Sequence, residues 1–144
     1  MHDPKAAQQA IISDFSLFDN WLDKYQYLID LGKRLLPLEE TEKTDDHLLH
    51  GCQSRVWLLI EGGADELIIR ANSDAAIVSG LIALLIRVYS GASAMQIIDS
   101  QPEFITAIGL QQHLSPTRAN GLHAMLGAIH RSAQSLLTAE QTSD

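Results

Sequence analysis

The fold of this chain is decided by the stretch RVWLLIEGGADELIIRA at residues 55–71. The segments Arg55–Glu61 and Glu66–Ala71 are short, apolar and rich in β-branched or aromatic residues, and the residues between them provide a turn. The pattern therefore predicts an antiparallel hairpin. Because an isolated hairpin is only marginally stable in water, we also expect a short third strand near His47–Leu49.

Helical patterns lie on both sides of the hairpin. Apolar residues at helical spacing predict helices over Ala6–Leu17, Asn20–Leu36, Asp74–Tyr89, Ser93–Asp99, Pro102–Ile108 and residues 116–138. The helix from Asp74 is apolar on most sides and is expected to be central, with Ser73 as its N-cap and Asp74 in its first turn. The polar segment 39–46 is expected to be a solvated acidic connection.

This order of elements indicates the fold class. Helices come first, then strands, then helices again, which is typical of an α+β domain. A chain of 144 residues fits one domain with a core of its own. We therefore predict a single domain over residues 1–144, with a small antiparallel sheet of about three strands packed against helices.

Charge and hydropathy argue against several classes of partner. The net charge is −8, and the ten Lys and Arg residues are scattered, so we expect no nucleic-acid partner. The apolar run Gly80–Ile86 is far shorter than the roughly 20 residues that span a bilayer, so we expect no membrane partner. The N-terminus lacks the cationic start and apolar stretch of a secretory signal, which predicts a cytoplasmic protein.

The only cysteine, Cys52, lies on a predicted loop before the first strand. A single cysteine excludes an internal disulfide and cannot supply the several thiolates of a zinc ribbon or an iron–sulfur site. A free cysteine is often a small buried hydrophobe, but the supporting loop residues His50, Gly51, Gln53 and Ser54 are poor core material. Both a structural and a reactive cysteine stay open at this point.

A reactive Cys52 would have a restricted chemistry. A lone thiolate can attack a sulfur atom bound to another protein, and the product is a persulfide that no second cysteine can resolve. Such a chain carries sulfur and does not cycle a disulfide. His50, Arg55 and the loop amides are the groups that could lower the pKa of the thiol, and the sequence does not rank them.

Two other interpretations of these residues are weaker. A cysteine followed by Ser54 and a tryptophan is superficially similar to a papain-type nucleophile, but here it leads into a strand and not into a helix. His47 and His50 have a spacing that suits a metal, yet further ligands would have to come from elsewhere, so we expect no metal site. His123 and His130 are about 10 Å apart on one helix, too far to share an ion.

Two charged residues are candidates for loop-orienting or docking roles. Arg118 falls in the first turn of the last predicted helix, where the dipole disfavours a cation. It either makes a structural ion pair or acts as an anchor that orients the Cys52 loop or a partner's carboxylate, since guanidinium binds a carboxylate in bidentate fashion. Asp74 is expected mainly to complement a helix dipole, with partner docking as the second interpretation.

Four stretches of this sequence resemble the SufE family of sulfur acceptors, which work in iron–sulfur cluster assembly. They are Trp21–Tyr25 with Asp30–Gly32, Gly51–Trp57, Ser73–Val78 with Gly80 and Leu81, and His113–Arg118 with Gly121 and Leu122. They follow the family's order, and the Gly-Cys-x-x-x-Val-Trp core at residues 51–57 is the most specific. The chain departs from the pattern at Leu22 and at residues 71–72.

The resemblance implies a fold like those of SufE and of the IscU scaffold, with the cysteine loop folded over an apolar surface. It also implies that Cys52 forms the persulfide, loaded by a pyridoxal-phosphate cysteine desulfurase of the SufS type and unloaded onto a SufB-containing scaffold complex. The chain itself would bind no cofactor. Gln53 and Ser54 are closer to the SufE pattern than to that of its relative CsdE, the acceptor for a different desulfurase, which is the alternative. A homodimer is left open.

Overall fold

The computed structural model describes residues 2–50 and 54–142, the last three of them by backbone alone, so Gly51, Cys52 and Gln53 lie outside it. The N-terminal helices are α1 (Pro4–Phe15) and α2 (Trp21–Lys33), and two 3₁₀ turns follow at Glu40–Glu42 and Asp45–His47. The strands are β1 (Val56–Gly63) and β2 (Glu66–Ser73). The C-terminal helices are α3 (Ala76–Tyr89), α4 (Ala94–Asp99), α5 (Glu103–Ala107), α6 (Leu110–His113) and α7 (Pro116–Thr142). This order confirms the predicted α+β class.

The predicted hairpin is confirmed, and its turn depends on one glycine. β1 and β2 pair antiparallel from Val56 opposite Ser73 to Gly63 opposite Glu66. Gly62 has a φ of +86°, and a Cβ atom there would lie 2.3 Å from the carbonyl oxygen of Glu66. Only glycine avoids this collision, so the turn residues fix the register of the strands.

The prediction of a third strand is wrong. Within the described residues it is reduced to a single antiparallel bridge between Leu48 and Trp57, with one hydrogen bond of 2.8 Å from the Leu49 amide to the Val56 carbonyl. The 3₁₀ turn at Asp45–His47 comes immediately before this bridge. Because a 3₁₀ turn lacks the extended backbone of a strand, the pairing does not continue through it, and the sheet has two strands.

The central position of α3 is confirmed. Its buried side chains include Leu81, Leu84, Leu85 and Val88, and they contact the sheet as well as α1, α2 and α7. Two glycines bring α2 and α3 into backbone contact. A Cβ atom on Gly80 would lie 2.2 Å from the Leu28 carbonyl oxygen, and one on Gly32 would lie 2.7 Å from the Gly80 nitrogen.

The predicted start of α3 is wrong by two residues. Ser73 is the last residue of β2, and a bend at residues 74–75 follows it; Ala75 is the N-cap of α3 and makes no side-chain cap bond. The Ser73 hydroxyl accepts instead from the Ala75 amide at 3.2 Å. This bond closes a local turn before the helix, so Asp74 does not occupy the first helical turn.

The acidic connection is more ordered than its composition suggests. It lies over the outer face of the hairpin, where Arg70 binds Glu42 at 2.5 Å and Glu61 at 2.9 Å. The ammonium group of Lys43 lies 5.6 Å from the ring centroid of Trp57. Most of the segment 39–46 is exposed, as expected of a solvated connection, whereas Glu42 is only partly exposed because Arg70 offers it a charge-assisted partner.

The Glu42 contact predicts a pH dependence of stability. The hydrogen bond from Arg70 lowers the pKa of Glu42 below its ordinary value of 4.5. The stabilisation is therefore fully present above pH 4.5 and is lost as the pH falls through the lower folded-state pKa. We expect urea unfolding to show Glu42→Gln less stable than wild type at pH 7, with the difference shrinking at acidic pH. Glu40→Gln, at an exposed neighbouring site, is the control, and an equal loss in both variants would contradict this.

Among residues 2–50 and 54–142, no helix is both long and apolar enough to cross a bilayer.

Candidate functional site

The loop that carries Cys52 leaves and rejoins the fold at one place. The bond from Leu49 to Val56 closes the segment 50–55 at its base. On the described sides of the gap, His50 is exposed and Ser54 is partly buried. The predicted site residues Gly51, Cys52 and Gln53 lie outside the described range. The structure therefore describes the surroundings of this loop and not these three residues.

An ion pair fixes the C-terminal side of this loop. The carboxylate of Asp74 accepts from the Arg55 backbone amide at 3.2 Å and from its Nε at 3.0 Å. The Arg55 guanidinium also lies 5.3 Å from the ring centroid of Trp57. Both charged side chains are largely exposed, so the pair orients the chain more than it stabilises the fold. The carboxylate also offsets the charge that Arg55 could offer to a thiolate.

A small apolar pocket lies beside Ser54. Its volume is about 20 Å³, enough for one water-sized group. It lies between α3 and the start of α7, and its lining side chains are mostly apolar: Val78, Leu81, Leu122 and Met125, with Thr117 and Arg118. The fold therefore brings Ser54 and Arg118, two of the predicted site residues, to one pocket. Asp74 is not part of that lining.

Arg118 has no structural ion pair in the described part of the chain. The carboxylates with salt-bridge partners there pair with Lys43, Arg55, Arg70 and Arg87. Its backbone amide donates to the Ser115 hydroxyl at 3.3 Å, so that serine caps the start of α7. The exposed guanidinium beside the pocket is thus available to a carboxylate of a partner.

Two of the candidate histidines make local contacts, whereas His50 and His123 are exposed. His47 bonds the Glu42 carbonyl through Nδ1 at 2.7 Å, and His130 bonds the Leu126 carbonyl at 2.9 Å. The edge of His130 also meets Tyr89, whose hydroxyl pKa is raised to about 12 by burial. Outside residues 51–53 and the C-terminal end, we find no group of three His, Cys, Asp or Glu side chains that could hold a metal.

Two side-chain contacts were not predicted from the sequence. The first is the Arg55–Asp74 pair, which the hairpin register could have revealed because Val56 pairs with Ser73 and the next residues outward must meet. The second is the stack of Trp21 on His113, with ring centroids 3.9 Å apart and planes at 13°. Both aromatic residues belong to motif stretches, but no local pattern indicates that α2 and α6 would meet.

Comparisons with known proteins agree with this architecture. A family model described as "SufE: Fe-S metabolism associated domain" matches residues 9–133. Among solved structures, the solution structure of a hypothetical protein from Thermus thermophilus aligns with a TM-score of 0.75 and 20% sequence identity. The alignment covers 96% of this chain and 99% of that one. At this identity the likeness shows the shared fold alone.

Proposed function

Because this chain belongs to the SufE family of iron–sulfur metabolism, we propose that it accepts a sulfur atom from a cysteine desulfurase as a persulfide on Cys52. One observation carries the proposal. The only cysteine of the chain lies in the Gly-Cys-x-x-x-Val-Trp stretch at residues 51–57, inside the matched residues 9–133. A thiol at that position is the one group in the chain that can hold a sulfane sulfur.

The transfer is a thiol exchange that needs no oxidant, because one S–S bond forms as another breaks. The thiolate of Cys52 attacks the outer sulfur of a persulfide on the desulfurase, and a new S–S bond forms. The old S–S bond breaks, and the desulfurase cysteine leaves as a thiolate. Attack by an acceptor thiolate on the outer sulfur of the Cys52 persulfide repeats the exchange and regenerates Cys52. This chain needs no cofactor for either step.

The surroundings of the loop support this chemistry. The bond from Leu49 to Val56 and the Arg55–Asp74 pair hold both ends of the loop, so the thiol is presented from a fixed base. The apolar pocket beside Ser54 offers a water-poor surface of the size of one small group. A sheltered persulfide would resist attack by free thiols in the cell. Arg118 offers a guanidinium at the same pocket for a partner's carboxylate.

The donor in this proposal is a desulfurase of the SufS type, whose pyridoxal phosphate supplies the carbon–sulfur chemistry. The recipient is a SufB-containing scaffold, and the exchange takes place in the cytoplasm. A CsdE-type acceptor would take sulfur from a different desulfurase through the same cysteine, so the two differ in the donor and not in the chemistry.

Intact-mass spectrometry tests the proposal. The protein is incubated with a cysteine desulfurase of the SufS type and free cysteine, then weighed without reductant. We expect wild type to gain the mass of one sulfur atom and Cys52→Ser to gain none. The gain should disappear on treatment with dithiothreitol, since a persulfide is reducible.

Matched conditions separate the alternatives. Omission of the desulfurase controls for sulfur released into solution. Loading only by a desulfurase of another type would indicate a CsdE-type acceptor. A wild-type chain that gains no sulfur from any desulfurase, while Cys52 reacts slowly with iodoacetamide, would make the cysteine structural and end the proposal.

A further inference from the structure

The segment that leads into the cysteine loop is tied to the outer face of the hairpin. The carboxylate of Glu42 accepts from both terminal nitrogens of Arg70 on β2, at 2.5 and 2.8 Å. Two bonds of this kind fix orientation as well as distance. The Nδ1 atom of His47 lies 2.7 Å from the Glu42 carbonyl oxygen, and the next residue, Leu48, forms the bridge to β1. A short, bonded path therefore runs from Arg70 to the base of the loop.

Arg70 is itself held from its other side. Side chains alternate along paired strands, so Arg70 lies on the same sheet face as Glu61 and Trp57 of β1. The carboxylate of Glu61 accepts from the Arg70 guanidinium at 2.9 Å. The guanidinium thus lies between a carboxylate of the sheet and a carboxylate of the incoming segment. This arrangement gives Glu42 one defined place on the sheet.

A second contact on this face joins both ends of the loop. The Lys43 ammonium lies 5.6 Å and the Arg55 guanidinium 5.3 Å from the ring centroid of Trp57. Both distances are within the range of a cation–π contact. Lys43 precedes the loop, and Arg55 lies at its C-terminal end. Because Lys43 is the neighbour of Glu42, the bonds from Arg70 also set where Lys43 meets the ring.

An ion pair of similar exposure lies away from the loop. The side chains of Arg70 and Glu42 are 35% and 23% exposed, a setting in which an ion pair adds modestly to stability. Arg87 of α3 and Asp14 of α1 form a pair at 2.9 Å, and their side chains are 39% and 37% exposed. That pair joins two helices and has no link to residues 42–55. The two arginines therefore differ chiefly in the segment that each one holds.

We propose that Arg70 is a positioning residue for sulfur transfer. Through Glu42 it fixes the segment that enters the cysteine loop, and with it the place at which the loop base meets a docked partner. The inference rests on the sulfur-transfer function proposed above and adds no bond-making step to that exchange. Orientation of reacting groups contributes large factors to a rate, and small displacements lose them. Arg70 therefore acts on the rate within the docked complex and not on the reactivity of the thiol.

The kinetics of sulfur loading test this role. Loading of the full chain by a desulfurase of the SufS type is followed by intact mass at several concentrations of the acceptor. Arg70→Gln should lower the limiting rate about tenfold. The half-saturating concentration should stay within about twofold, because the groups proposed for docking are unchanged. The reaction of Cys52 with iodoacetamide should not slow, since a small free reagent needs no docked orientation.

Hydrogen exchange reports on the loop base independently of any partner. The Leu49 amide, which donates to the Val56 carbonyl, should exchange about tenfold faster in Arg70→Gln than in wild type. The Gly91 amide, which donates to the Leu67 carbonyl at the far edge of the hairpin, should exchange at the wild-type rate. Far-UV circular dichroism establishes that the variants are folded under these conditions.

Two further variants provide control and rescue. Arg87→Gln removes an ion pair of similar exposure and should change neither the limiting rate nor the exchange of Leu49. The double variant Glu42→Arg with Arg70→Glu exchanges the partners and should bring the limiting rate to within about twofold of wild type. Either single change should leave it low.

Several results would overturn the role of Arg70. They are a wild-type limiting rate in Arg70→Gln, an equal fall in Arg87→Gln, or a double variant no faster than its parents. A parallel fall in the iodoacetamide rate would place the effect on the thiol and also overturn it. A wild-type chain that takes up no sulfur would end the sulfur-transfer proposal and this role with it. Normal loading of wild type and of Arg70→Gln alike would end this role alone.

Discussion

Replacing Gly80 by alanine is expected to lower the free energy of unfolding by about 3 kcal/mol, the upper range for overpacking a well-packed core. The added Cβ atom would lie 2.2 Å from the Leu28 carbonyl oxygen and 2.7 Å from the Leu28 carbonyl carbon. These are backbone atoms, so no side chain can turn aside. Helices α2 and α3 would have to move apart, and the core side chains between them would lose contact. Chemical denaturation followed by circular dichroism measures the loss.

Gly127 in α7 is the matched control for this substitution. It is also a helical glycine, but a Cβ atom there would meet the end of the flexible Arg131 side chain at 3.0 Å. Gly127→Ala should therefore be neutral or stabilising by up to about 1 kcal/mol, because alanine is the better helix former. If Gly80→Ala proved as stable as Gly127→Ala, the close crossing of α2 and α3 would be wrong.

Replacing Gln8 by methionine is expected to cost about 3 kcal/mol, the scale of leaving buried polar groups without partners. The Gln8 amide donates to the Gln101 carbonyl at 2.9 Å and to the Ser100 hydroxyl at 3.1 Å, and its oxygen accepts from the Phe104 amide at 3.0 Å. Gln8 is 4% exposed and Ser100 is 3% exposed, so water cannot replace these bonds. Methionine has a similar volume but offers no amide group.

Gln9 supplies the comparison for Gln8. It is the next residue of the same helix, but its side chain is exposed. Gln9→Met should change the free energy of unfolding by less than about 0.5 kcal/mol, as is usual for surface substitutions. Thermal melts of both variants measure the contrast. Equal melting temperatures would show that the Gln8 bonds do not tie α1 to α5.

Much of the fold could be predicted because its signals are local. The two short apolar, β-branched or aromatic-rich segments in residues 55–71 and the turn residues between them are enough to predict the hairpin, and the apolar residues of α3 indicate its burial. The start of α3 was missed because a hydrogen bond between Ser73 and Ala75 competes with helix formation. The third strand was missed because the competing 3₁₀ turn at Asp45–His47 is not evident from an acidic composition.

The candidate site could be predicted only in part. Cys52 is conspicuous as a lone thiol, and the family resemblance gives it a role. The pocket beside Ser54 could not be predicted, because its walls come from α3 and from α7, some forty residues further along the chain. The sequence also could not show that Arg118 makes no ion pair with the other described residues, because this depends on which elements pack beside it. Periodicity shows which face of an element is apolar, but not which element covers it.

The bonds of Gln8 also have a consequence for the order of events during synthesis. The bond from Phe104 to Gln8 joins residues 96 positions apart. At the usual rate of translation, roughly 5 to 20 s pass between the appearance of the two residues. Throughout that interval α1 lacks the partners for its buried amide, and Ile11 and Phe15 lack their complete cover. Helix α1 therefore leaves the ribosome before α5 and acquires these bonds only when α5 has been made, and a chain that stalls before Phe104 would present α1 to chaperones.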